Sequence, residues 1–197
     1  MSAVILAGGK SSRMGRDKAR LEIGGQSLLA RQIQLVRMIG VGEIFVSGRA
    51  DRDDAEFGCP VLTDRFAEAG PLAGIERALA AAAWPWLLVV AVDMPNLTPD
   101  ILQRLIERSR GVTGVIPRIG GRMQPLAAIY PRGAGSLATA QLTAEVRAAT
   151  AFAEHCVRFG LAEFQDMADV DARHFVSWNT PAEVLPDPVC RLDRWAP

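Results

Sequence analysis

The chain has 197 residues, of which 49% are hydrophobic and 22% are charged, a composition typical of one globular domain with a substantial core. Basic and acidic residues number 22 each, and the formal net charge of zero excludes an overall field that would attract nucleic acid or an anionic membrane. We therefore expect neither nucleic acid nor a membrane as a partner.

The apolar and cysteine patterns exclude further classes of protein. The longest apolar stretch, residues 79–92, is too short to span a bilayer, and residues 1–7 lack the basic start of a signal peptide. The cysteines Cys59, Cys156 and Cys190 form no Cys-x-x-Cys pair, which argues against disulfides and a structural zinc site. We expect a cytoplasmic protein.

The first stretch with a chemical signature is VILAGGKSSRMGRDK, residues 4–18. Its apolar start predicts a buried strand, which stops at Gly8-Gly9, where a backbone without Cβ can turn sharply and approach a ligand. Basic side chains follow at Lys10, Arg13, Arg16, Lys18 and Arg20. Exposed amides and cations after a strand favour phosphate binding, although neither the P-loop nor the dinucleotide pattern is present. A polar surface loop after an edge strand is the alternative.

Strands and helices alternate along the rest of the chain. Further strands are predicted at residues 21–23, 43–46, 61–62, 86–92, 114–116, 126–130 and near Phe164. Helices are predicted at residues 27–39, 70–83, 98–106, 135–142 and 146–159, with a last one starting at Thr180. Residues 86–92 are apolar at every position, as a parallel strand covered by helices on both faces requires. The pattern predicts a single three-layer α/β domain over residues 1–186, with a mostly parallel sheet and a tail over 187–197.

Two acidic residues, Asp64 and Asp93, follow predicted strands. Ligands of open α/β sheets bind outside the carboxyl ends of the strands, so Asp93 and Gly8-Gly9 would share one crevice if their two strands are neighbours. Nothing nearby in the sequence balances Asp93, and Mg²⁺ is a suitable partner because it takes one or two carboxylates together with phosphate and water oxygens. The alternatives are an Asx-type turn at Asp93 and a solvated turn at Asp64.

Three other segments are weaker candidates for ligand contact. Gly70 to Gly74 could approach a base or ribose, but a helix start is the simpler interpretation. Gln124 to Leu126 and Asn179 offer amide groups near the ends of elements, where such residues are more often turn or cap residues.

Six short motifs give these residues a family context. In chain order they are Leu6-Ala7-Gly8-Gly9, Arg13-Met14-Gly15, Asp17-Lys18, Gly70-Pro71-Leu72-Ala73-Gly74, Asp93-Met94-Pro95 and Asn179-Thr180-Pro181. Together they resemble the molybdenum cofactor guanylyltransferase family, from residue 3 to about residue 184. Gly8-Gly9, Gln124 to Leu126 and Asn179 favour the guanylyl branch over the related cytidylyltransferases.

The resemblance implies a Rossmann-like nucleotidyltransferase sheet and a Mg²⁺-dependent reaction. GMP would pass from GTP to the terminal phosphate of molybdopterin, with release of pyrophosphate. Such a family member would bind GTP and molybdopterin and make transient contact with proteins that supply the cofactor or mature molybdoenzymes. The alternatives are a transferase of the same fold that uses CTP or another acceptor, and a catalytically inactive GTP-binding adaptor.

The resemblance also implies roles for individual residues. Lys18, with Arg13 nearby, would contact the triphosphate, and Asp93 would bind Mg²⁺. The implied nucleotide and substrate site comprises Leu6, Ala7, Gly8, Gly9, Lys18, Ser47, Asp64, Gly70, Pro71, Leu72, Gly74, Asp93, Gln124 and Asn179. Of these residues, Gln124 and Asn179 would lie on the molybdopterin side. Ser47 stands where several family members carry asparagine. Its side chain is shorter, so a water would have to bridge the gap between its hydroxyl and the base.

Overall fold

A mixed, mostly parallel sheet forms the centre of the molecule in a computed structural model that describes residues 1–8, 18–48, 58–109 and 113–178. In chain order the strands are β1 (Ser2–Leu6), β2 (Glu22–Ile23), β3 (Gln26–Ser27), β4 (Glu43–Gly48), β5 (Val61–Thr63), β6 (Trp86–Ala91), β7 (Gly114–Ile119), β8 (Arg122–Met123), β9 (Ala127–Pro131) and β10 (Ala162–Asp166). Over the described residues the order in the sheet is β10-β7-β9-β6-β1-β4-β5, with β8 beside β7. Strands β2 and β3 form a separate antiparallel hairpin.

Strand β1 lies between β4 and β6 and runs parallel to both. Leu6, at the end of β1, is opposite Ser47 of β4 and Ala91 of β6. The first strand and the apolar strand over 86–92 are therefore neighbours, and their carboxyl ends meet at one edge of the sheet.

The described helices are α1 (Leu28–Met38), α2 (Pro71–Ala81), α3 (Pro99–Arg108), α4 (Gly135–Thr143) and α5 (Ala149–Arg158). Short 3₁₀ helices span Lys18–Arg20, Arg132–Ala134 and Asp169–Phe175. The predicted caps are present, because the hydroxyl of Ser27 accepts from the Ala30 amide (3.2 Å) and that of Thr98 accepts from the Ile101 amide (3.4 Å). None of the described helices has the length and apolar character needed to cross a bilayer.

Helices cover both faces of the sheet, which confirms the three-layer α/β prediction. In β6, Leu87 and Val89 face a core cluster shared with α2, α4 and α5, while Leu88 and Val90 face the cluster shared with α3. Ile5 of β1 packs in a third cluster beside α1. Because both faces of the central strand β6 are covered, every one of its positions is apolar.

The two strands predicted to flank the Gly120-Gly121 turn are present as β7 and β9, and the structure adds the short strand β8 between them in sequence. Both glycines have positive φ (53° and 78°), and they close a tight hairpin between β7 and the short strand β8. The chain then turns again, and β9 pairs antiparallel with both β6 and β7. The sheet is mixed for this reason.

One predicted helix begins later than expected, and the predicted C-terminal segment is not described. Helix α5 begins at Ala149 and not at Val146, because the Val146 amide donates to the Gln141 carbonyl (2.8 Å) and belongs to the end of α4. The predicted helix from Thr180 and the tail over 187–197 lie outside the described residues.

Candidate active site

The carboxyl ends of β6, β1, β4 and β5 form one edge of the sheet. The Ala7 amide donates to the Ser47 carbonyl (2.9 Å), and the Val92 amide donates to the Leu6 carbonyl (3.2 Å), so the strands stay in register as the chain leaves them. Gly8, which is exposed, and Asp93 lie just beyond this point on neighbouring strands. The structure brings Gly8, the described residue of the predicted glycine loop, and the predicted acid to one crevice.

A lysine and a carboxylate meet in this crevice. Lys18 Nζ lies 3.0 Å from Asp93 Oδ2, although 75 positions separate the two residues in sequence. The two side chains are 22% and 20% exposed, so they remain open to solvent and to a ligand. Lys18 begins a 3₁₀ helix that is anchored by the fully buried Ala19. Lys18, one of the cations of the basic stretch, therefore has a fixed attachment beside Asp93.

The Asp93 turn is held by two residues that the sequence analysis did not identify. The side-chain amide of Gln32, which is 2% exposed on α1, donates to the Met94 carbonyl (2.7 Å). The backbone amide of Trp178 donates to the Asp93 carbonyl (2.8 Å). Gln32 lies beside Ile33 on the buried face of α1, and a polar residue on an apolar helix face is the signal that could have indicated it.

Asp93 is better suited to Mg²⁺, which needs few protein ligands, than to a structural metal ion held by several side chains. Within residues 1–8, 18–48, 58–109 and 113–178, no group of three or more His, Cys, Asp or Glu side chains could hold a metal. A single carboxylate that is 20% exposed does not fit a tightly held structural ion. It fits Mg²⁺, which keeps several waters and is commonly bound through one or two carboxylates plus substrate phosphates.

Asp64 follows β5 at the same edge and is linked to β4. Ser47, only 3% exposed, donates through Oγ to Asp64 Oδ1 (3.3 Å). Burial raises the pKa of Asp64, the Ser47 hydrogen bond lowers it, and the nearby charge of Glu76 raises it, with a net increase. Asp64 is half-buried and hydrogen-bonded to β4, and its implied role in binding the nucleoside stays a prediction.

The GPLAG segment, Gly70 to Gly74, is the first turn of α2 with its cap. Gly70 has φ of 71°, which favours glycine, and Pro71 occupies the first helical turn. Gly70 and Pro71 are exposed, whereas Leu72 and Gly74 are buried under the sheet. The burial of Leu72 and Gly74 indicates packing, and their implied role in nucleotide binding stays a prediction.

Gly74 is required by close packing of α2 on the strand ends. A Cβ there would lie well inside contact distance of Ser47 Oγ and 2.9 Å from Leu6 Cδ2. We expect Gly74→Ala to lower the free energy of unfolding by about 1–3 kcal/mol in urea titrations, the usual cost of overpacking. The control is Gly133→Ala, where a Cβ meets nothing within 4 Å. Equal stability of the two variants would contradict the packing argument.

The Gln124–Leu126 turn reaches the end of β6. The Ala91 amide donates to the Leu126 carbonyl (2.8 Å), and the hydroxyl of the buried Tyr130 donates to the Pro125 carbonyl (2.9 Å). Gln124 is half-buried, and its backbone amide donates to the Pro117 carbonyl of β7 (2.8 Å), so its implied role on the molybdopterin side stays a prediction. Gly9, Arg13 and Asn179 lie outside the described residues, and their roles stay predictions.

The described cysteines, Cys59 and Cys156, are buried in the core and form no disulfide within the part of the chain that the structure describes. Burial raises the pKa of Cys156 to about 12, so this thiol stays protonated near neutral pH. A protonated core thiol is unsuited to nucleophilic attack.

Comparison with known proteins gives a consistent result. A family model described as the MobA-like NTP transferase domain matches residues 3–159. The chain is 34% identical over 186 residues to a probable molybdenum cofactor guanylyltransferase of Opitutus terrae, a match that covers 93% of this chain and 92% of the relative. It is 39% identical over 132 residues to the corresponding protein of Pelotomaculum thermopropionicum, covering 67% of this chain and 64%, just under two thirds, of that relative.

Solved structures share the fold. A nucleotidyl transfer enzyme from Methanothermobacter superimposes with a TM-score of 0.77 at 21% identity, covering 93% of this chain and 94% of that one. The molybdopterin-guanine dinucleotide biosynthesis protein A of Archaeoglobus fulgidus gives a TM-score of 0.74 at 20% identity, with 93% and 95% covered. At such identities the likeness concerns the fold alone.

Proposed function

Because this chain belongs to the MobA-like NTP transferase family, we propose that it transfers GMP from GTP to the terminal phosphate of molybdopterin in a Mg²⁺-dependent reaction. Nucleotidyl transfer follows from the family itself. The names of the curated relatives, at 34% and 39% identity, support the guanylyl donor and a molybdenum cofactor acceptor. Cytoplasmic placement is part of the same proposal.

The observation that carries the proposal is the contact between Lys18 and Asp93 at the end of the two central strands. A cation for the phosphates and a carboxylate suited to a hard metal ion lie 3.0 Å apart, beside the exposed Gly8. Nucleotidyl transfer requires this combination, because the chemistry depends on alignment and on neutralising phosphate charge.

The reaction would be a single displacement without a covalent enzyme intermediate. An oxygen of the molybdopterin phosphate forms a bond to the α-phosphorus of GTP, the bond between that phosphorus and the bridging β-oxygen breaks, and the electron pair leaves with pyrophosphate. A phosphate nucleophile is already ionised near neutral pH, so the site needs no histidine or thiolate as base or nucleophile.

Each proposed residue then has a task. Lys18 binds the triphosphate and stabilises the negative charge that develops on pyrophosphate, with Arg13 nearby. Asp93 would hold Mg²⁺, which supplies charge neutralisation and polarisation of the α-phosphate when bound. Backbone groups of Leu6 to Gly9 and the Asp64 carboxylate would bind the nucleoside, while Gln124 and Asn179 would line the acceptor side.

The test is an incubation of the protein with GTP, Mg²⁺ and molybdopterin, followed by assays for pyrophosphate and for a guanylated pterin. Parallel reactions replace GTP with CTP or ATP, and a further one omits molybdopterin. We expect both products with GTP only, and only when molybdopterin is present. Faster turnover of CTP would replace the guanylyl assignment, and GTP binding without pyrophosphate release would indicate an adaptor.

A further inference from the structure

Two buried polar side chains adjoin Asp64 from different elements. Ser47 of β4 donates to its carboxylate, and Glu76 of α2, which is 1% exposed, acts on it through its charge. Glu76 is itself anchored: its Oε1 accepts from the Arg65 guanidinium and from Thr139 Oγ1 (2.9 Å), whereas its Oε2 has no hydrogen-bond partner among the described residues. A buried carboxylate with one unsatisfied oxygen costs stability, so its retention calls for a role.

Ser47 is enclosed and cannot extend into the crevice. Helix α2 packs against its hydroxyl at Gly74, and a Cβ added at Gly8 would lie 3.8 Å from the same oxygen. Its side chain therefore faces Asp64, between two glycine backbones. From sequence, a water was expected to bridge Ser47 and the base. In the structure the Ser47 hydroxyl donates to the Asp64 carboxylate, which could contact the nucleoside in place of that water.

We propose that Ser47 and Glu76 are positioning residues for the Asp64 carboxylate and influence nucleotide binding only through it. The inference rests on the proposed function, because it takes Asp64 as the residue that accepts hydrogen bonds from the nucleoside. Ser47 fixes the orientation of the carboxylate from the strand side. Glu76 fixes the turn after β5 through Arg65, the residue next to Asp64.

The two residues have opposite electrostatic effects on Asp64. Burial raises the pKa of Asp64 most. The hydroxyl of Ser47 lowers it by stabilising the ionised carboxylate, and the negative charge of Glu76 raises it by favouring the protonated form. Arg65, in the same turn, is paired with Glu76. Ionised Asp64 can accept two hydrogen bonds from a nucleoside, so GTP binding should weaken as pH falls through its pKa. Ser47→Ala should raise that pKa, and Glu76→Gln should lower it.

The experiment measures GTP affinity by calorimetry at fixed Mg²⁺ across pH for the wild type, Ser47→Ala, Ser47→Cys, Glu76→Gln and Asp64→Asn. Variants are compared with the wild type at each pH, so titration of the GTP phosphates cancels. We expect Ser47→Ala to weaken GTP binding roughly three- to tenfold, the loss of one hydrogen bond, and to move the midpoint of the pH dependence upward. Ser47→Cys has a weak donor, so its GTP affinity and pH midpoint should lie between those of the wild type and Ser47→Ala. Glu76→Gln should move the pH midpoint downward.

Inorganic tripolyphosphate is the reference ligand, because it has the phosphates of GTP without a nucleoside. Its affinity should be unchanged in the Ser47 and Asp64 variants. If Asp64→Asn weakens GTP binding while Ser47→Ala leaves affinity and midpoint unchanged, the inference is overturned and the proposed function stands. If the wild type binds GTP no more tightly than tripolyphosphate, the proposed function itself fails. Should Glu76→Gln melt at a much lower temperature, the Ser47 series alone decides the outcome.

Discussion

Replacing Asp93 with alanine is expected to lower kcat for nucleotidyl transfer by at least about 10²- to 10³-fold, the usual cost of losing one preorganised electrostatic contact. Asp93 presents a partly exposed carboxylate beyond β6, and the substitution removes both the proposed Mg²⁺ ligand and the partner of Lys18 at 3.0 Å. The measurement is the initial rate of pyrophosphate release at saturating GTP and Mg²⁺, with circular dichroism to confirm folding. Asp93→Asn should lower kcat nearly as much, because the amide has no negative charge although it has the same volume as the carboxylate.

The matched control is Asp166→Asn on the edge strand β10. This carboxylate is 72% exposed and also forms an ion pair, with Arg118 at 2.7 Å, but it lies three strands away from β6. We expect its turnover to remain within about twofold of the wild type, because exposed pairs contribute little. Near wild-type turnover by Asp93→Ala would contradict the assignment of the site.

The central layer of the fold was accessible from sequence because the signal is local. Trp86 to Val92 is apolar at every position, and the structure shows the physical reason: Leu87 and Val89 face one helical layer, and Leu88 and Val90 face the other. The caps at Ser27 and Thr98 were equally accessible, because a cap and the amide it accepts from are three residues apart.

The position of β9 was not accessible in the same way. Its apolar residues indicate a strand, but its antiparallel place between β6 and β7 depends on pairing with residues about forty positions earlier, such as Val89 opposite Ala128. The Gly120-Gly121 turn suggested a hairpin, and in the structure the short β8 follows this turn, while β9 also pairs with β7, with Val115 opposite Ile129.

Parts of the candidate site depend on contacts at still longer separation. Asp93 was predicted from its place beyond a strand, and Lys18 was one of five cations, given its role by the family resemblance. Their contact spans 75 positions, and the hydrogen bond from Gln32 to Met94 spans 62. The role of Gly74 was also hidden, because a helix start explains the GPLAG sequence without requiring Ser47 as a neighbour. Glu76 left a local signal, a charge among the buried residues of α2, that the sequence analysis did not use.

Lys18→Ala is expected to lower kcat/KM for GTP by about 10²- to 10³-fold with little change in stability. Stability should change little because the ion pair between Lys18 and Asp93 is accessible to solvent. The two side chains are 22% and 20% exposed, and such a pair contributes about 1 kcal/mol or less to folding. The charge on pyrophosphate, by contrast, develops in the transition state, where a fixed cation has its largest effect. Initial rates over a range of GTP concentrations and urea unfolding curves measure the two effects independently.

The control for Lys18 is Arg108→Ala, which removes an exposed cation from the last turn of α3. That helix starts at the active-site edge and runs to the opposite edge of the sheet, so its last turn is remote from the crevice. We expect Arg108→Ala to keep wild-type kinetics and to lose a few tenths of a kcal/mol of stability, about the worth of a cation at a helix C-terminus. If Lys18→Ala instead lowered stability by several kcal/mol and activity only in proportion to the unfolded fraction, the lysine would be structural. A lysine that acts on the nucleotide requires the reverse, a folded protein in which binding and turnover fail together.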